Sequence, residues 1–258
     1  MITIRGLSKE YPGGIQALNS VDIQIERGEF VVVIGPSGAG KSTLLRCING
    51  LVPPSGGTVS IDGLPVHRAG DLRSVRKKIG MIFQQFNLVN RLSVLKNVLC
   101  GRLAHGNALT SCLHLFHSMD LDLAMSCLHR VGIPDKAHER ADQLSGGQQQ
   151  RVGIARALVQ QPDVILADEP VASLDPLSAR HIMDVLRDIN TEDGITMLVS
   201  LHNLDLARQY AKRIIGLKNG MVRLDTEISE LSDSDIENVY GRAFVDSAEP
   251  AEKRYCNA

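Results

Sequence analysis

The chain has 258 residues, 28 of them basic and 29 acidic, for a formal charge of −1; 43% are hydrophobic and 22% charged. That length buries a sizeable core, and the balanced charge offers no global field to draw in nucleic acid or anionic lipid. Only 3% of residues are aromatic and none is Trp, which argues against a stacking platform for single strands.

No apolar run approaches the roughly 18 residues needed to cross a bilayer. The N-terminus enters an alternating pattern with no basic stretch followed by an apolar one, so no signal peptide is expected. Five cysteines without a CxxC pair read as free thiols in a reducing compartment, and a soluble cytoplasmic chain is expected. Cys112, His114 and His117 lie close together, but their spacing matches no zinc pattern and no second ligand pair follows, so they read as helix residues.

Ile2, Ile4 and Leu7, then Leu18, Val21, Ile23 and Ile25, recur with a period near two, which predicts half-buried antiparallel strands. Arg27-Gly28-Glu29 reads as a turn. The β-branched run Phe30 to Ile34 is that of a strand buried on both faces of a parallel sheet. A Gly-rich loop leads to a helix predicted over Ser42 to Asn49, with Leu44, Leu45 and Ile48 inward and Gly50 as its stop. Thr58 to Ile61, closed by Asp62-Gly63, predicts an edge hairpin. From Leu88 to about Gln143 the period moves toward 3.6, predicting an inserted helical subdomain over about 88–143. Strand signals return at Val164 to Ala167 and at Ile195 to Leu201, beside a helical stretch with Val152, Ala155, Leu158 and Val159 on one face. Strands alternating with helices argue for an α/β fold on a parallel sheet. After about Asp225 the chain turns polar and acidic, and 247–258 reads as a flexible tail following a domain over 1–246.

Gly35-Pro36-Ser37-Gly38-Ala39-Gly40-Lys41-Ser42 fits G-x-x-x-x-G-K-[ST] between a buried strand and a helix, and Thr43 follows it. Such a loop cradles phosphate oxygens on successive N–H groups at the positive end of a helix. Lys41 then reaches the outer phosphates and the Ser42 hydroxyl suits Mg²⁺, so ATP or another nucleoside triphosphate is the expected ligand. Asp168 and Glu169 end a second buried strand, where ligands of open parallel sheets collect. Asp168 suits the Mg²⁺, and Glu169 suits a general base for the attacking water. These two elements alone leave kinases, GTPases, helicases and transport ATPases open.

Leu144-Ser145-Gly146-Gly147-Gln148, followed by a helix predicted over Gln149 to Gln160, narrows the choice. The whole block through Leu158, ahead of Asp168-Glu169-Pro170, resembles the ATP-binding cassette family over nearly the full chain. The resemblance implies a P-loop NTPase cassette: a RecA-like parallel core, an antiparallel β subdomain and an inserted α-helical subdomain. It also implies a homodimer with two ATP molecules sandwiched head to tail, in which Ser145, Gly146, Gly147 and Gln148 contact nucleotide held by the other copy. Tyr11 matches the aromatic that stacks on adenine. Gln84, rather than Gln85, matches the glutamine that senses Mg²⁺ and water. His202 matches the switch histidine, and Asp175 of Ser173-Leu174-Asp175 matches a loop crossing the dimer interface.

The stretch from Ile82 to Leu95, with Asp188-Ile189-Asn190 and Asp193-Gly194-Ile195-Thr196, is similar to the ATP-binding subunits of phosphonate importers. That implies an ATPase peripheral to the cytoplasmic face of the inner membrane, two integral-membrane permease subunits, a periplasmic or extracytoplasmic phosphonate-binding protein and no nucleic acid. Polar amino-acid importers share Phe83-Gln84 and Phe86-Asn87-Leu88 and remain an alternative. A soluble ATPase of DNA repair or translation, and a P-loop kinase, are alternatives of other classes.

Overall fold

Strand β1 (Ile2–Tyr11) hairpins into β2 (Ile15–Ile25), pairing Ile2 with Ile25 and Ile4 with Ile23. The buried residues change spacing from two to three at Ile4–Leu7 and Leu18–Val21, where the register shifts. Gly6 and Ser20 absorb the extra residue at φ 54° and 48°, so the bulge keeps both apolar sets facing inward. β4 (Gly56–Ile61) pairs with β1 and with β5 (Leu64–Pro65), giving a four-stranded antiparallel sheet in the order β2-β1-β4-β5. The hairpin expected at the edge therefore places β4 inside the sheet, and only the two-residue β5 lies at the rim.

The computed structural model describes residues 1–67, 72–104 and 116–241. Its second sheet has six strands in the order β10-β9-β3-β8-β7-β6. These are β3 (Phe30–Ile34), β6 (Ile79–Ile82), β7 (Val164–Asp168), β8 (Thr196–Ser200), β9 (Arg213–Lys218) and β10 (Met221–Glu227). All neighbours run parallel except β9 and β10. Neither β9 nor β10 is foreseen in the sequence reading above.

Successive residues of β3 enter different cores. Val31 and Val33 join α1 (Lys41–Ile48) and the antiparallel sheet; Phe30, Val32 and Ile34 join α5 (Gly146–Leu158), α6 (Pro176–Asp193) and α7 (Leu204–Tyr210) on the other face. Burial of each such side chain stabilises by about 1.5–3 kcal/mol. Helix α1 opens at Lys41, one residue earlier than expected, and the chain leaves it through Gly50 at φ 67°. Between 88 and 143 lie α3 (Val94–Leu99) and α4 (Ser118–Arg130), both packed on α5, with single 3₁₀ turns at Pro134–Lys136 and Ala141–Gln143. His117 is the N-cap of α4, whereas Cys112 and His114 lie outside the described residues. Helix α2 (Leu72–Lys77) leads into β6.

One expectation needs correction. Helix α5 begins at Gly146, three residues before the predicted start, because Ser145 and Gln148 close a reciprocal capping box: the Gln148 N–H donates to Ser145 Oγ and the Ser145 N–H donates to Gln148 Oε1. The acidic stretch after Asp225 also carries a further helix, α8 (Asp233–Tyr240). Ser232 and Asp235 cap it by the same device, and Ile236 and Val239 are buried beneath it. The tail expected over 247–258 lies outside the described residues.

Candidate nucleotide site

Strands β3, β8, β7 and β6 are consecutive neighbours and parallel, so the four segments that follow them emerge along one edge of the sheet. Those segments carry the Gly35–Ser42 loop, His202, Glu169 and Gln84. A cavity of about 410 Å³ at this edge is lined by Ala17, by Ser37, Gly38, Ala39, Gly40, Lys41, Ser42 and Thr43, and by Gln84, Glu169 and His202. Ten of the sequence-derived site residues are therefore together on one wall or another of it, and Asp168 stands directly behind Ser42.

The loop has the shape that its glycines permit. A Cβ on Gly40 (φ 106°) would lie 2.5 Å from Ala17 O, and one on Gly35 (φ 149°) would lie 2.2 Å from Leu217 O. Only glycine fits both places. The Gly35 N–H donates to the Tyr240 hydroxyl at 3.1 Å, which ties the start of the loop to α8.

Lys41 is 4% exposed and folds back so that Nζ donates to Gly35 O at 2.7 Å and Pro36 O at 3.2 Å. Burial pushes its ammonium below the ordinary lysine value, while the nearby Glu169 and Asp168 carboxylates oppose that shift. The Ser42 hydroxyl donates to Asp168 Oδ1 at 2.8 Å, and Ser200 Oγ donates to the same oxygen at 3.2 Å. Glu169 takes a left-handed backbone, φ 50°, with its N–H donating to Ser200 Oγ at 2.9 Å. Its Oε1 meets His202 Nε2. A non-glycine residue held in that region is strained, and such strain persists where surrounding bonds over-determine it. Here Ser200 and His202 do so.

Ser42 and Gln84 line the cavity and Asp168 bonds to Ser42 from behind, so hydroxyl, amide and carboxylate oxygens form a hard donor set that fits Mg²⁺. Backbone N–H groups at the start of α1 and the Lys41 ammonium supply the positive counterpart that a polyphosphate needs.

The model of the family described as ABC transporter matches residues 18–172. The chain belongs to the ABC transporter family. The phosphonates import ATP-binding protein PhnC of Shouchella clausii is 55% identical over 244 residues, 94% of this chain and 92% of that protein. Its namesake in Thiobacillus denitrificans is 55% identical over 247 residues, 95% of this chain and 94% of that protein. Among solved structures, a dimeric ATP-binding cassette in a post-hydrolysis state with ADP and Pi aligns with a TM-score of 0.76 and 38% identity. The alignment covers 88% of this chain and 99% of that one. The ADP conformation of another ABC transporter cassette aligns with a TM-score of 0.80 and 26% identity, covering 96% and 99%.

Not every expected cassette residue reaches the cavity. Tyr11 closes β1 with the Lys9 ammonium 5.1 Å over its ring, and Ala17 takes the neighbouring place in the lining. Ser145, Gly146, Gly147 and Gln148 form the cap and first turn of α5, where Gly146 faces Leu174 and Gly147 faces Ser178. Asp175 N-caps α6, accepting from the Leu177 and Ser178 N–H groups, and its bonds to Ser178 hold its carboxyl below the ordinary value. Gln84 and Gln85 part company: both border a second cavity of about 380 Å³ with Phe86, Asn87, Leu88, Asn90, Gln149 and Ser173, but only Gln84 also lines the first.

Sequence reasoning missed Ala17, Ser200 and Tyr240. A small residue in a strand and a strand-terminal serine carry no local signal. The Ser232-x-x-Asp235 box is a signal for α8, though not for where its last residue points. Among the described residues, no helix is long and apolar enough to cross a membrane.

Proposed function

We propose that this chain is the ATP-hydrolysing, energy-coupling subunit of a bacterial importer of phosphonates. It works as a head-to-tail pair of cassettes on two integral-membrane permease subunits, at the cytoplasmic face of the inner membrane, with an extracytoplasmic phosphonate-binding protein delivering the cargo. The observation that carries this reading is the 55% identity to phosphonate-import ATP-binding proteins, sustained over 94% of the chain. A phosphate loop with its acid pair and strand-terminal histidine stands behind it.

In this reading the Gly35–Thr43 loop wraps the phosphates of ATP, and the Lys41 ammonium exchanges the Gly35 and Pro36 carbonyls for the outer phosphate oxygens. Ser42, Asp168 and Gln84 would hold Mg²⁺, and the ion would supply screening of the phosphate charge. Glu169 orients and deprotonates the attacking water, and His202 holds Glu169 on one side and the γ-phosphate on the other. Water attacks phosphorus, the bond to the β-phosphate oxygen breaks, and ADP and phosphate form. The Ser145–Gln148 turn lies outside the cavity of its own chain, which supports its service to a second copy with Asp175 beside the same junction. Tyr11, at the end of β1, would stack on the adenine. The second cavity, bordered by Gln84, Gln85, Leu88 and Gln149, is the surface this reading assigns to the permease. The cassette occupies 1–246, with the helical subdomain over about 88–143.

The test is complementation of a strain lacking this gene with wild-type or Lys41→Ala protein, on methylphosphonate, aminoethylphosphonate, phosphite or phosphate as sole phosphorus source. Uptake is followed directly. Wild-type protein restores phosphonate uptake and Lys41→Ala does not. Restoration of phosphite uptake alone, or of amino-acid uptake instead, overturns the cargo assignment, and turnover retained by Lys41→Ala overturns the site.

A further inference from the structure

The loop that carries Gln84 is bound to α5 by a side chain that the reading above leaves unused. Arg156 donates from Nη2 to Phe86 O at 2.8 Å and from Nη1 to Asn87 O at 2.5 Å. Among the described residues no carboxylate pairs with it, and burial pushes its guanidinium below the ordinary arginine value. A planar fork spent on two successive carbonyls, with no counter-charge, fixes the course of a backbone rather than neutralising an acid.

The segment it holds needs fixing. Phe86 and Asn87 are consecutive non-glycine residues with positive φ, 21° and 51°, a conformation that persists only when its surroundings impose it. One face of α5 is cut to receive it. Gly146 lies under the Phe86 ring, with a Cβ there 3.7 Å from Cζ, and Gly153 lies under the Phe86 carbonyl, with a Cβ there 3.9 Å from the oxygen. Gln150, on the same face between them, is wholly buried, yet neither Oε1 nor Nε2 has a partner. A buried amide without partners is costly.

We propose that Arg156 is a positioning residue for ATP hydrolysis: through the Phe86 and Asn87 carbonyls it ties the placement of Gln84 to α5, whose first turn is the Ser145–Gln148 segment. The helix is stiff, and its 1.5 Å rise per residue puts Arg156 about 15 Å from Gly146. Docking of that first turn against nucleotide therefore moves Arg156, and with it the Gln84 loop. The inference rests on the role given to Gln84 above.

The experiment is a double-mutant cycle on the full chain, with Arg156→Ala, Gln84→Ala and the pair, read by ATP turnover against ATP and against free Mg²⁺. Nucleotide affinity and melting temperature are measured alongside. Arg156→Ala lowers kcat by about 10-fold, the loss typical for residues that orient a metal-site ligand, leaves the KM for ATP within about 2-fold, and raises the Mg²⁺ requirement. The double variant is no slower than Gln84→Ala. Arg156→Lys, which keeps the charge but reaches a single carbonyl, falls between, and it carries the test if Arg156→Ala does not fold. Wild-type kcat and Mg²⁺ dependence in Arg156→Lys and Arg156→Ala overturn the proposal. So do losses that multiply in the double variant, which leave the Gln84 role standing. A Gln84→Ala variant indistinguishable from wild type overturns the Gln84 reading itself and the proposal with it.

Discussion

Ser200→Ala is the substitution that tests how the acid pair is held. Ser200 is 0% exposed, and its Oγ both accepts from the Glu169 N–H at 2.9 Å and donates to Asp168 Oδ1 at 3.2 Å. Removing the hydroxyl leaves that N–H without an acceptor, a loss of about 1–3 kcal/mol. Asp168 keeps the Ser42 hydroxyl at 2.8 Å, so the cost falls mainly on Glu169. Glu169 is also the residue at φ 50°, and a strained backbone that loses one of its restraints relaxes toward an ordinary conformation. A net stability loss of about 2 kcal/mol corresponds to a melting point lower by about 4–8 °C in a chain of this size. If Glu169 is the proposed base, relaxation turns its carboxylate away from the attacking water, and kcat falls by about 10–100-fold, the range for residues that support a catalytic group. Affinity for ATP stays near wild type, because the hydrogen bonds of Ser200 go to Asp168 and Glu169 and not to Lys41 or the loop amides. Urea unfolding followed by circular dichroism, suited to a chain without Trp, gives the first quantity and steady-state phosphate release the second. Wild-type stability and kcat in Ser200→Ala would show that the bonds at Glu169 do not support it.

Two further expectations follow from the same geometry. Gly40→Ala forces a methyl to 2.5 Å from Ala17 O and 3.0 Å from Leu18 Cδ2, whereas Gly38→Ala at φ 77° meets nothing within 4 Å. Calorimetric titration with ATP should show binding lost in the first and weakened by about 1 kcal/mol of backbone cost in the second; equal effects would refute the steric argument. Cys47 and Cys127 have thiols pushed by burial from 9.0 to about 11. Their folded-state value is raised, so they leave stability untouched below pH 9, and stability is lost as the pH climbs from 9 toward 11, at about 1.4 kcal/mol per pH unit for each thiol. Urea midpoints between pH 8 and 10.5 should fall less steeply in a Cys47→Ala/Cys127→Ala variant than in wild type, and parallel slopes would contradict the burial account.

Much of the site was legible because it is written contiguously. The octet Gly35–Ser42 places its amides, its lysine and its hydroxyl through its own backbone, and the glycines at 35 and 40 are demanded by the turn they make. Asp168 and Glu169 end an unbroken apolar run, and a strand buried on both faces has one predictable end where ligands gather. The first helical turn at Gly146 was misjudged because the sequence reading gave Ser145 and Gln148 to ligand contact, when they also cap each other. α8 falls inside the domain expected over 1–246, in an acidic stretch for which the sequence predicts no element; Asp233 and Asp235 sit in its first turn, where negative charge stabilises.

Sequence alone determined the phosphate-loop octet, the position of the acid pair at a strand end and the two-faced burial of β3, since each depends on residues adjacent in the chain. Tertiary structure decided the rest. Ser200 under Glu169 spans 31 residues, Arg156 on the Phe86 carbonyl 70, and Tyr240 on Gly35 205. Contacts of that kind exist only after the strand order β3-β8-β7-β6 has brought four loops to one edge. A hydrogen bond between distant residues leaves no period and no local spacing, because its partners are selected by packing.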